Sequence, residues 1–258
     1  MIKRPTITSD GMRKGIYVLP NLFTTASLFC GFYAIIASMR ENFFYAAVSI
    51  LIAGILDGLD GRIARFTNTT SKFGSEYDSL ADLVAFGVAP GILAYTWALS
   101  PFGRYGWLVA FLFVACGALR LARFNIQIGI VESKVFNGLP IPAAAGVVAG
   151  SVLFYDYVGG TGHFNHISIL LTVVALAFLM VSSIKFYSFK DVNYFSRKPF
   201  ITLVLVVFVF TVIVMEPQLM IFTMAVGYAC SGPAWSLYKL FRRNKKAREE
   251  VKKYVNKV

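Results

Sequence analysis

Apolar residues fill this chain in stretches of about twenty, separated by short polar segments. Such a stretch is long enough to cross a bilayer as a helix. The pattern predicts eight spans, at roughly 18–38, 43–66, 75–99, 106–128, 138–157, 166–186, 200–215 and 217–240. The seventh is short for a crossing. The connections are short, and no internal repeat or low-complexity tract interrupts them. The expected fold is therefore all-α: a polytopic membrane helix bundle, one catalytic domain over residues 1–241, and a basic cytoplasmic tail over 242–258. The first apolar stretch follows a basic segment, as in a signal peptide, but no A-x-A-like cleavage site follows it. It is read as a retained first helix. Pro20 and Asn21 suit a helix start there.

Composition agrees with a membrane protein. The chain has 258 residues, 57% of them hydrophobic and 15% charged, with a mean hydropathy of +0.65. That is too apolar for a soluble domain of this length. A net charge of +12 raises nucleic acid as a partner. The positive charge, however, lies between and after the apolar spans. That placement fits a topology signal and contact with anionic lipid, not nucleic acid. With the N-terminus in the cytoplasm, all of the 25 Lys and Arg except Arg40 and Arg104 fall on the cytoplasmic side. Cys30, Cys116 and Cys230 sit in separate apolar stretches, with no metal-ligand spacing among them.

One polar interruption stands apart. Residues 57–82 read DGLDGRIARFTNTTSKFGSEYDSLAD. Asp57 and Asp60 are three apart, and Asp78 and Asp82 are four apart. Each pair therefore shares one helix face. Carboxylates inside apolar spans cost about 2.5–3.5 kcal/mol each at mid-bilayer. Four together repel one another unless cations neutralise them. Oxygen ligands with no histidine on the same side suit hard ions, Mg²⁺ or Mn²⁺. His163 and His166 fall in a loop at the opposite face. Four carboxylates from two helices can hold two ions, an arrangement that clamps the attacking and leaving oxygens of a phosphoryl displacement. Arg62, Arg65 and Lys72 lie nearby, as they should if a polyanionic ligand bridges them to the metal. Gly58 and Gly61 leave the backbone bare for its approach. A set of intramembrane salt bridges is the bland alternative, but three bases leave four acids underpaired. A cation transporter is another reading, and its acids should lie at mid-membrane or on both sides.

The spacing D57-x2-D60-G61-x2-A64-R65-x8-G74-x3-D78-x3-D82 resembles the full signature of the CDP-alcohol phosphatidyltransferases. The resemblance implies their fold and reaction: a CDP-linked lipid donates its lipid-side phosphorus to an alcohol, and CMP leaves. It also implies that Asp57, Asp60, Asp78 and Asp82 are metal ligands, with Asp82 doubling as general base. Gly61, Arg65, Ser71 and Gly74 would then lie along the CDP portion, and Asn21 and Thr24 would face the nucleotide. A homodimer is implied in the same way.

Four further stretches, PNLFTTASLFCGFYAI (20–35), ALRLARFN (118–125), FNGLPIPAAAG (136–146) and LMVSSIKFYSFK (179–190), resemble the membrane-type serine-specific branch of that family. The resemblance implies CDP-diacylglycerol and L-serine as substrates. Arg120, Arg123 and Asn125 are then candidates for the serine carboxylate or a lipid phosphate. Snorkelling arginines at a span's end are also ordinary. Glycerol 3-phosphate or inositol phosphate as acceptor, and an archaeal ether-lipid donor, remain open at this point.

Overall fold

The computed structural model describes residues 9–67, 71–127, 135–164, 166–187 and 214–255, with single positions 204, 207 and 211. Helix α1 (Ser9–Met39) runs straight through Pro20. The expected helix start at Pro20–Asn21 is thus corrected. A proline inside a membrane helix is tolerated because neighbouring groups re-satisfy the backbone carbonyl it frees. A tight turn at Arg40–Asn42 leads into α2 (Phe43–Phe66). The two helices lie close along their length because small residues face each other. Ala34, Ala37, Ala46, Ala47 and Ala53 are buried between them. Ser27 donates a 3.1 Å hydrogen bond to the Ala53 carbonyl.

The third span is a single helical rod over Lys72–Phe102, but its geometry changes along its length. It opens as α3 (Lys72–Asp82), capped by Ser71, whose Oγ accepts from the Gly74 amide at 3.0 Å. A π-helical stretch, Leu83–Val88, begins directly after Asp82. Helix α4 (Ala89–Ala94), a second π stretch and a 3₁₀ turn complete the rod. Small residues let its neighbours approach. A Cβ on Gly31 of α1 would lie 2.6 Å from the Ala85 Cα. A Cβ on Gly91 would lie 2.9 Å from Val114 of α5 (Arg104–Gln127). Close helix contact through such residues is the usual packing device in membranes.

Helices α6 (Ile141–Tyr157) and α7 (Ile167–Val181) are apolar but shorter, at 17 and 15 residues. Among the described residues, four helices are long and apolar enough to cross a membrane: Pro20–Met39, Phe43–Ile63, Lys72–Phe102 and Arg104–Ile126. The expected span at 200–215 lies almost wholly outside the described residues. The last expected span does not stop near residue 240. Helix α8 (Pro217–Val255) continues unbroken into the basic segment. A mostly charged sequence of strong helix formers after Leu240 simply propagates the preceding helix.

One feature is not helical. Strands β1 (Val135–Asn137) and β2 (Lys185–Tyr187) pair antiparallel, with Phe136 opposite Phe186. Gly138 follows β1 with φ +83° and donates to the Ile184 carbonyl at 2.9 Å. The Leu139 amide bonds the Leu179 carbonyl at 3.0 Å, so the start of α6 is stitched to the end of α7. Phe186 is fully buried beneath α8, against Gly232 and the Tyr228 ring.

Candidate active site

The lower half of α2 and the whole of α3 converge at one end of the bundle. They bring Asp57, Asp60 and Asp78 together: one carboxylate oxygen from each lies within 4.8 Å of the others. Asp60 is buried, and Asp57 and Asp78 are half-buried. Asp82 stands beside this group, its carboxyl hydrogen-bonded to that of Asp57. Two carboxyls in such contact share either a proton or a cation. The pairings expected from the three- and four-residue spacings are therefore realised across two helices. An all-oxygen donor set from three or four carboxylates fits a hard divalent ion.

Helix α1 supplies the polar rim. Thr24 Oγ1 donates to Asp60 Oδ2 at 2.8 Å. The Gly61 amide also bonds the Asp60 carboxylate. Asn21 lies against the start of α3, where a Cβ on Gly74 would sit 3.4 Å from its Oδ1. Gly74 thus admits both Asn21 and the Ser71 cap. A Cβ on Gly58 would meet nothing within 4 Å, so open space adjoins the acids there. Arg62 is exposed at this end. The side chain of Arg65 lies outside the described residues.

The three acceptor-side candidates separate. Arg120 lies within electrostatic reach of Asp82 and of the Tyr228 hydroxyl on α8, with its guanidinium 5.7 Å from the Phe124 ring centre. Arg123 donates to the Val181 carbonyl at 3.4 Å, at the end of α7. The Asn125 amide donates to Ser79 Oγ at 2.9 Å. Of the three, Arg120 is the one within electrostatic reach of the acids, while the other two bond neighbouring elements.

Both histidines lie at the far end of the bundle. His163 bonds the Thr96 carbonyl at 2.9 Å and approaches Glu41 at 3.8 Å; His166 caps α7. Several site neighbours escaped sequence reading: Thr25, Tyr77 and Ser79 at α3, and Tyr228 on α8. Tyr77 and Ser79 fill unspecified positions between the signature's fixed residues, and Tyr228 lies far away in sequence. No spacing rule points to any of them.

The chain matches the CDP-alcohol phosphatidyltransferase family over residues 17–181 and belongs to it. The match takes in all four aspartates and Arg120. Among its relatives is a CDP-diacylglycerol–serine O-phosphatidyltransferase of Helicobacter pylori, 47% identical over 182 residues, which are 69% of this chain and 76% of that protein. One of the same name from Bacillus subtilis is 39% identical over 67% of this chain and 91% of its own. An archaetidylserine synthase of Methanothermobacter thermautotrophicus is 38% identical over 65% of this chain and 69% of its own.

Proposed function

We propose that this chain transfers the phosphatidyl group of CDP-diacylglycerol to the hydroxyl of L-serine, giving phosphatidylserine and CMP. The observation that carries the chemistry is the convergence of Asp57, Asp60 and Asp78, with Asp82 alongside, at one end of the bundle. Serine as acceptor is supported by the relatives, whose names share serine while their lipids differ. The Helicobacter pylori diacylglycerol enzyme, at 47% identity against 38% for the archaeal ether-lipid one, favours an acyl donor.

Asp57, Asp60 and Asp78, joined by Asp82, would hold Mg²⁺ or Mn²⁺, in the reading we favour as two ions. Bound there, the metal supplies charge neutralisation for the pyrophosphate oxygens. The chain's own groups do the rest. Asn21, Thr24, Gly61, Arg65, Ser71 and Gly74 border the space for the CDP portion. Asp82 takes the proton from the serine hydroxyl. The serine oxygen forms a bond to the lipid-side phosphorus as the bond from that phosphorus to CMP breaks. Arg120 faces Asp82 and is the cation best placed to meet the serine carboxylate or a lipid phosphate. Arg123 and Asn125 are the further candidates for the serine carboxylate or a lipid phosphate. Asn125 spends one amide proton on Ser79, and an amide has further donor and acceptor capacity for serine.

The same reading puts the protein in the cytoplasmic membrane with eight crossings and the site on the cytoplasmic face. The distribution of Lys and Arg supports that orientation. Residues 1–241 form the catalytic unit, and the basic end of α8 lies along anionic lipid. A homodimer is the expected assembly.

Purified enzyme given CDP-diacylglycerol and a panel of L-serine, glycerol 3-phosphate and inositol phosphate tests the assignment. Only serine should release CMP and yield a new phospholipid. Turnover with a phosphorylated alcohol and none with serine would refute the acceptor assignment. Metal flux in liposomes without CMP release would point to transport instead.

A further inference from the structure

The two short hydrogen-bonded contacts on either side of Asp78 have no place in the reaction described above. Tyr77 meets Thr25 of α1, with 2.9 Å between hydroxyls. Thr25 already donates its own proton to the Asn21 carbonyl at 2.7 Å, so the Tyr77 hydroxyl is the donor. On the other side, Asn125 of α5 donates to Ser79 Oγ at 2.9 Å, and Ser79 donates back to the Ser75 carbonyl at 3.1 Å. Three consecutive residues therefore address three different helices. Tyr77 turns to α1, Asp78 to the acids of α2, and Ser79 to α5.

Helix α3 needs such ties. It has 11 residues, and among them only Ala81 is buried. Its apolar packing is too slight to fix its rotation about its own axis. The well-buried part of the span, at Ala85, Phe86 and Gly87, lies beyond the change to π geometry that follows Asp82. The wider π turn offsets the helical phase there, so the buried face beyond it is not in register with Asp78. The stakes are metric. With side chains reaching about 5 Å from a helix axis, a roll of about 20° moves a carboxylate by roughly 1.7 Å. Metal–ligand distances hold to about 0.2 Å.

We infer that Tyr77 and Ser79 are positioning residues, a pair of clamps to Thr25 and Asn125 that set the roll of α3 and so bring Asp78 and Asp82 to the acids of α2. Thr24 and Thr25 make α1 the common bracket, one holding Asp60 and the other holding Tyr77. This rests on the reading of the aspartates as the metal site.

The experiment measures Mn²⁺ binding to purified full-length protein in detergent, from the loss of the free-ion electron paramagnetic resonance signal. It is run on wild type, Asp78→Ala, Tyr77→Phe, Ser79→Ala, the Tyr77→Phe/Ser79→Ala double variant and Ser79→Thr, with thermal unfolding recorded on each. Wild type should bind, and Asp78→Ala should lose most of that binding. Tyr77→Phe and Ser79→Ala should each raise the half-saturating Mn²⁺ concentration at least threefold, and the double variant about tenfold. At saturating Mn²⁺ their kcat should recover to within about threefold of wild type. Ser79→Thr, which keeps the hydroxyl, should restore binding. Half-saturation unchanged in both single variants, whether or not unfolding shifts, overturns the clamps while leaving the metal site standing. Absence of Mn²⁺ binding by wild type overturns the metal reading itself, and the clamps with it.

Discussion

In the reaction we propose, Asp57, Asp60 and Asp78 divide the labour with Asp82 by position. The first three present oxygens to one shared point, and Asp82 stands one helical turn beyond Asp78, about 5.4 Å along the axis. That turn places it against Asp57 and within the field of Arg120. It is the carboxylate that can touch the cluster and still reach an incoming hydroxyl. Asp57→Ala and Asp78→Ala are each expected to abolish turnover, and a chelator to do the same reversibly. Full activity in excess chelator would contradict this. Asp82→Asn keeps the shape and loses the base. It should still bind CDP-lipid while kcat falls at least about a hundredfold, the lower end of general-base catalysis. Steady-state kinetics beside a lipid-binding titration separates the two effects. A variant with near-normal kcat would remove Asp82 from proton transfer.

Among the elements, the ends of α6 and α7 carry more constraint than their modest length suggests. Gly138 sits at φ +83° with the Met180 carbonyl where a Cβ would go. An alanine there meets both an unfavourable backbone and a steric overlap. Gly138→Ala should destabilise the protein by roughly 1–3 kcal/mol. It should also loosen the β1–β2 pair, and the fall in thermal unfolding midpoint in detergent reports the cost. An unchanged midpoint would mean that the chain relaxes at no cost. The sequence spoke clearly where a periodic rule governs. Apolar runs marked α1, α2, the third span and α5, and the aspartate spacings marked the site. Other features obey no local rule. The π stretch after Asp82 lies where Gly31 of α1 meets Ala85, and the β1–β2 pair joins segments about fifty residues apart in sequence. Arg120, Arg123 and Asn125 looked alike as polar residues ending one span. Only tertiary contacts separate the arginine that faces Asp82 from the one spent on Val181.

At the scale of the molecule, the bundle has two unlike ends. One gathers the aspartates, Arg120 and the start of α6; the other holds the Glu41 turn and both histidines. In the orientation we propose, the first end faces the cytoplasm, a reading that the placement of Lys and Arg supports. In intact cells a single cysteine at Ser71 should be closed to impermeant reagents and one at Thr161 open to them. External labelling at Ser71 would reverse the orientation. The central claim is that serine's oxygen attacks the phosphorus directly at this carboxylate cluster. The most direct measurement is the configuration at that phosphorus, using CDP-diacylglycerol bearing a chiral thiophosphate on the lipid side. One displacement predicts phosphatidylserine thiophosphate with inverted configuration. Retention would mean two displacements through a covalent phosphatidyl-enzyme and would contradict the role given to Asp82.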